Sequence, residues 1–487
     1  MESTMARVRS AVVAAPPAGV ARDGKDEKTA PTEAMGSILA GSREGKMEIL
    51  GNASRRRSGM CNCGRWAILS CAILTLTFLL IGPAIAAEKE VIRFWTLLDI
   101  RDPGPRSEAL RQILAQFEKK TPNIQVQVET IPWAQIDAQL IQASAAGKGP
   151  DVTILSGQLI AQHVRAKTIV PLDEFVARWP EQERNDFLVP LKRTTFDGKI
   201  MGLFVQNRVP LLYYRNDYLK AKGLSVPKTW AELAEAGGKL SGNNVMGFAW
   251  GLDPRSRATA LTEPLISMFW AAGEEVLDSN GRATFNSPAG VKVYQFINDL
   301  VHKYKAMDPS VASYTYEDVF QAVKSGTVAM NFLGNHRVVA AREAGNLGDK
   351  LQTAPLPGPT AGKPAPAHVF GWTLVIGKDS KHREAAWKFI EHMLTYESRL
   401  TDAKLAGEMP SRKSVYNDPW FKSGDAREMK MWADYAAAHG RVFAYPEKYN
   451  RLSELLAEAA QEMVLKGVPA QQVLDQAAKK YNVLVAQ

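Results

Sequence analysis

Val91-Ile92-Arg93-Phe94-Trp95-Thr96 opens a run to residue 155 that decides the fold. Its β-branched and aromatic residues read as a strand. From Ser107 to Lys120, Leu110, Ile113, Leu114 and Phe117 recur at helical spacing, which predicts a helix with one apolar face. Thr121-Pro122-Asn123 stops it, and Ile124-Gln125-Val126-Gln127-Val128 alternates as a second strand. A helix from Trp133 to Ala146 follows, then the break Gly147-Lys148-Gly149-Pro150 and a third strand, Asp151-Val152-Thr153-Ile154-Leu155. Strand, helix, strand, helix, strand predicts α/β architecture with a parallel sheet covered by helices. The loops after the strands, Leu97 to Arg106 and Ser156 to Gln158, then share the edge where open α/β sheets take ligands.

Downstream, a second unit begins after Lys199-Ile200-Met201-Gly202-Leu203-Phe204. Asn207 and Arg208 interrupt the apolar run before Leu211-Leu212-Tyr213-Tyr214 resumes it, which suits a segment passing between two lobes with part of its length facing a cleft. Thr229 is placed as the N-cap of a helix carrying Glu232 near its start. A helix is predicted from Gly290 to Tyr304, strands at Thr327–Leu333 and Thr373–Ile376, and two C-terminal helices over 452–485 split near Gly467-Val468-Pro469.

Upstream of residue 87 the chain changes character. Arg55, Arg56, Arg57 and Arg65 precede an apolar segment from Trp66 to Ile81, Gly82-Pro83 breaks it, and Ala84-Ile85-Ala86 offers small residues for a cut after Ala86. That is the layout of an export signal, and the apolar run is short against the ~20 residues of a membrane span. Residues 47–86 are therefore read as a signal peptide, with an uncleaved anchor or a lipid-bearing Cys71 as alternatives. Residues 1–46 read as a disordered extension or as upstream of a true start at Met47 or Met60. All three cysteines, Cys61, Cys63 and Cys71, lie before residue 87, so the body has no thiol for a disulfide or a thiolate metal site. The formal net charge is +9, of which the first 86 residues supply +4, so the body is only mildly basic and nucleic acid is not an expected partner.

Nine stretches in this order resemble the bacterial extracellular solute-binding proteins that serve ABC importers. They are the Phe-Trp-Thr strand; Gln116-Phe117-Glu118-Lys119-Lys120 with Thr121-Pro122-Asn123-Ile124; Ala146-Gly147-Lys148-Gly149-Pro150-Asp151-Val152; Val170-Pro171-Leu172-Asp173; Tyr213-Tyr214-Arg215-Asn216-Asp217; Val226 to Leu233; Phe285-Asn286-Ser287; Ser325 to Met330; and Ala385 to Ile390. The resemblance implies a type II periplasmic binding fold: two α/β lobes joined by three crossover strands, near Asn207, Phe370 and Asn417. Lobe 1 would comprise 87–206 plus 373–416, and lobe 2 would comprise 207–372 plus 417–487. It implies a periplasmic monomer that passes a small solute, a sugar or sugar derivative, to permease subunits, with no cofactor and no metal.

By position in that pattern, ligand contacts are expected from Trp95, Asp99, Arg101, Ser156 and Gln158 in the first lobe and from Asn207 and Arg208 at the crossing. Thr262, Glu263, Trp270, Asn335, His336, Arg337 and Tyr449 are expected from the second lobe, and Trp372 from the second crossing. Each has a plainer reading. Trp95 and Trp270 fit a core, Trp230 and Trp387 fit structural packing, and Asp99, Arg101 and Arg208 could be solvated or paired with one another. His336 departs from the Trp that sugar-binding relatives often carry, and Arg337 beside it leaves open an anionic cargo such as a glycerol phosphate ester. A secreted carbohydrate hydrolase is the alternative of another class. Against it, the chain has no Gly-x-Ser-x-Gly elbow and no His-Glu-x-x-His, and its seven histidines are scattered.

Overall fold

A computed structural model describes residues 89–486. The extension, the export segment with its cut after Ala86, and the first and last residues of the expected lobes fall outside that range. Five elements match the opening run: β1 (Glu90–Thr96), α1 (Pro105–Lys120), β2 (Ile124–Thr130), α2 (Ile136–Ala145) and β3 (Val152–Ser156). Leu110, Ile113, Leu114 and Phe117 all turn inward from α1, as their spacing requires. β1 runs parallel to both β2 and β3.

β4 (Leu203–Arg208) is followed after Val209 alone by β5 (Pro210–Arg215), and the two belong to different sheets. α3 (Trp230–Leu240) starts from a capping box in which Thr229 and Glu232 bond each other's backbone N–H. Then come α4 (Thr259–Ala271), α5 (Pro288–His302), α6 (Tyr316–Lys324), β6 (Met330–Gly334), β7 (Leu351–Ala354) and β8 (Phe370–Ile376). α7 (Arg383–Met393), α8 (Tyr396–Ala406), β9 (Met409–Pro410), α9 (Gly424–His439), α10 (Tyr449–Lys466) and α11 (Ala470–Val485) complete the body.

The first sheet has the order β9-β4-β8-β3-β1-β2 and the second the order β6-β5-β7. Within the first sheet β1, β2 and β3 pair in parallel; β8 inserts antiparallel between β3 and β4, because the chain comes back to this sheet from the second one rather than through a crossover helix. Ile92, Phe94, Leu155, Leu374 and Trp387 belong to the core under the first sheet. Trp250, Leu265, Tyr294, Tyr449 and Leu456 belong to a separate core in the second lobe. The chain leaves the first sheet for the second at Val209 and is back in the first at Phe370; after β9 it runs through the turn Lys413–Asn417 into α9. Gly371 sits at the second passage with φ 154, where a Cβ would lie 2.1 Å from the Gln206 carbonyl oxygen. Only glycine lets β8 approach β4 so closely.

Candidate functional site: an interlobe cleft

The carboxyl ends of β1 and β3 open onto a cavity of about 260 Å³. From the first lobe it takes Leu97, Arg106, Trp133, Ser156, Gln158 and Trp372. From the second come Arg257, Thr259 and Glu263 around the start of α4, Tyr316 and Glu317 in the first turn of α6, and His336 and Arg337 after β6. Arg208, Phe370 and Gly371 supply the floor at the crossings.

Local structure aims several of these groups. Ser156 caps a 3-10 turn by accepting from the Gln158 N–H at 3.3 Å, which fixes both side chains at the sheet edge. Arg208 and Arg106 each put Nη2 3.0 Å from the same oxygen, Oε1 of the buried Glu408. Arg337 is held by Glu317 and lies 4.6 Å over the Phe320 ring. His336 stacks on Tyr316 with ring centroids 6.0 Å apart, and the Tyr316 hydroxyl accepts from the Gly334 N–H at 2.9 Å. Burial, reinforced by Arg208, Arg337 and Arg106, pushes the His336 pKa well down, so the ring is neutral. Burial also raises Glu263 to about 8 against the pull of Arg208, Arg257 and Arg337, so its carboxyl is mostly protonated at neutral pH.

A side-chain contact joins the two walls of the cleft. Arg257 reaches from the second lobe to Asp137 Oδ2 at 3.1 Å and lies 5.0 Å over the Trp133 ring. Its backbone and that of Ala258 adopt left-handed φ values of 63° and 49°. Asp137 is fixed from behind by His163, 3.2 Å from its other oxygen.

The walls contain buried polar atoms that no protein group satisfies: Nε of Arg106, Arg208 and Arg337, Nδ1 of His336, and Oε2 of Glu263. Buried polar groups in folded proteins are nearly always paired, at a cost of about 1–3 kcal/mol each when they are not. All five belong to residues that line the one cavity, which gives it strongly polar walls.

Of the residues singled out from sequence, Ser156, Gln158, Arg208, Glu263, His336, Arg337 and Trp372 line this cleft. The others are engaged elsewhere. Trp95 is buried in the first core, its indole N–H donating to Glu129 at 2.8 Å, because the carboxyl end of β1, from Phe94 to Thr96, is buried on both faces. Asp99 and Arg101 pair with each other at 2.7 Å, and the Arg101 side chain is 85% exposed. Asn207 donates to the Pro410 carbonyl at 3.1 Å, and Asn335 accepts from the Val209 N–H at 2.9 Å; both clamp the first crossing. Thr262 donates back to the Ala258 carbonyl at 3.1 Å and meets the Tyr449 hydroxyl inside the second lobe. Trp270 sits at the far end of α4, bonded to Glu275 at 3.0 Å and covered by Arg441. Sequence reasoning did not single out Arg106, Trp133, Arg257, Tyr316 or Glu317. Arg106 at least lies at the end of the loop already assigned to the ligand edge.

A family model described as bacterial extracellular solute-binding protein matches residues 103–399. A Deinococcus radiodurans protein named "Probable ABC transporter-binding protein" is 26% identical over 371 residues, 72% of this chain and 84% of its own length. The arabinooligosaccharide-binding protein of Bacillus subtilis is 24% identical over 310 residues, 61% of this chain and 68% of its own. Among solved structures, the maltose-bound T. maritima MalE3 aligns with a TM-score of 0.69 at 26% identity, covering 81% of this chain and 99% of that one.

Proposed function

The chain belongs to the bacterial extracellular solute-binding proteins, and from that premise we propose that it is the substrate-binding subunit of an ABC importer, with a sugar or sugar derivative as cargo in the interlobe cleft. The observation that carries this reading is the set of unsatisfied polar atoms, contributed by both lobes, around one cavity. A saccharide offers hydroxyl donors and acceptors at every ring position, which suits a wall holding both free N–H groups and a free carboxyl oxygen. Trp133, Tyr316 and Trp372 add the apolar surface that sugar C–H faces need.

The mechanism is mechanical rather than catalytic. Ser156 and Gln158 on one lobe and Glu263 and His336 on the other can bond one solute only when the lobes approach. Binding therefore favours the closed form through contacts that the open form lacks. A micromolar dissociation constant corresponds to about 8 kcal/mol, within reach of a few buried hydrogen bonds and the apolar contact. In this reading the protein acts as an exported monomer, delivered by residues 47–86, that hands its solute to permease subunits and transforms nothing.

A thermal-shift screen of the purified chain against mono-, di- and oligosaccharides and polyols tests this. A cargo at 1,000 times its Kd stabilises by about 4 kcal/mol, a shift of several degrees. Failure of every saccharide and polyol to raise Tm, or turnover of any of them, would sink the proposal.

A further inference from the structure

The walls of the cleft do not balance in charge. Arg257 and Arg337 each have a carboxylate of their own, Asp137 and Glu317. Arg106 and Arg208 instead share a single Glu408 oxygen, 3.0 Å from both, and Glu408 is 1% exposed. Behind them, Arg399 is matched by Asp402 at 2.8 Å, so no further anion is available to the pair. The other carboxyl in the lining, Glu263, is mostly neutral at pH 7 because burial lifts its pKa to about 8. One guanidinium charge is thus left over in a mostly buried site, where an uncompensated charge is costly.

The aromatic faces point the same way. Arg208 lies 5.8 Å over Trp372, Arg257 lies 5.0 Å over Trp133, and Tyr316 faces both the His336 ring and Arg337. Trp372, Trp133 and Tyr316 therefore each carry a guanidinium over one face, so a cation lies beside each of these aromatic surfaces of the cleft. Guanidinium matches the planar geometry of a carboxylate, and Nε of Arg106, Arg208 and Arg337 has no partner within the protein. The volume, about 260 Å³, exceeds the ~150 Å³ of a cavity that holds benzene and falls below the ~300 Å³ where drug-sized pockets begin. That range fits one sugar ring with a substituent.

We infer that the cargo is a monosaccharide bearing a single carboxylate, a hexuronate in chemical class, whose acid group is taken by Arg208 and Arg106 and supplies the charge that Glu408 cannot. This rests on the sugar-binding reading above and narrows it. A doubly charged phosphate ester would overshoot the one surplus charge.

The test is calorimetric titration of the purified full chain with galacturonate and glucuronate, with galactose and glucose as neutral partners, and with glucose 6-phosphate. At least one uronate binds ten-fold or more tightly than its neutral partner, and its affinity falls as salt rises. Arg208→Gln, checked for an unchanged far-UV spectrum, loses most of that preference. If neutral sugars bind as well as uronates, the inference is overturned and the sugar reading stands. If glucose 6-phosphate alone binds, both fail; if none of the five binds, the inference is overturned and the wider saccharide and polyol screen decides the sugar reading. Arg106→Gln provides a second variant should Arg208→Gln not fold, and it too must weaken uronate binding.

Discussion

Replacing Glu263 with glutamine isolates the energetics of the cleft. In the folded protein its carboxyl titrates near 8, against 4.5 for an ordinary glutamic acid, with burial as the main cause. Between those values the folded state keeps a proton that the unfolded chain has released. The unfolded state then binds fewer protons, so stability falls as pH rises through this window. The stabilising linkage is complete below about 4.5 and is lost by the time pH has passed about 8. The full difference corresponds to an upper bound of roughly 5 kcal/mol at 1.36 kcal/mol per pH unit. Glutamine resembles the protonated acid in shape and cannot ionise, so Glu263→Gln removes the slope. Urea unfolding of both proteins at pH 5, 6.5 and 8.5 measures the effect. The variant gains on the native protein by a few kcal/mol between the first and last pH. Parallel stability profiles would refute the reasoning, because they would mean that Glu263 is ionised in the folded state and that the charge count of the cleft is wrong.

Other perturbations follow from the same geometry. Arg257→Ala removes a side-chain bond from this lining to the facing lobe, a charge-assisted contact worth about 1.5–3 kcal/mol, so the affinity of any cargo should drop roughly ten-fold or more and small-angle scattering should show the unliganded protein more open. Unchanged affinity rules the contact out as a latch. Glu408→Gln leaves two guanidiniums without their anion and should cost about 3–5 kcal/mol in urea unfolding; a loss below about 1 kcal/mol contradicts the shared pairing. Gly371→Ala forces a Cβ to within 2.1 Å of the Gln206 carbonyl and should lower Tm by many degrees, whereas an unchanged Tm would show that β8 and β4 can part.

Much of the architecture was legible because it is written in periodicity. The inward face of α1 follows from Leu110, Ile113, Leu114 and Phe117, and the cap of α3 from Thr229 and Glu232. Ser156 and Gln158 beyond β3 and Arg208 in the crossing were legible from chain topology, whereas Glu263, His336, Arg337 and Trp372 were legible only through the resemblance. Trp95 shows the limit. At the end of β1, where Phe94, Trp95 and Thr96 are buried in succession, alternation no longer tells which residue faces a ligand, and the indole turns toward Glu129 instead. Asn207 and Asn335 carry the right chemistry for a sugar but spend it on the backbone of the crossing. Arg257 was invisible for a different reason. Neither it nor Ala258 is a residue type that announces a left-handed turn, so nothing local foretold that the guanidinium would swing toward Asp137.

That left-handed pair has an engineering consequence. Two adjacent non-glycine residues in this region hold about 2–4 kcal/mol of backbone tension beside the mouth of the cleft. A laboratory selection for heat resistance alone would be drawn to glycine at position 258, where the tension relaxes. Such a protein would gain durability and lose aim, because the freed backbone would no longer hold the guanidinium pointed across the gap.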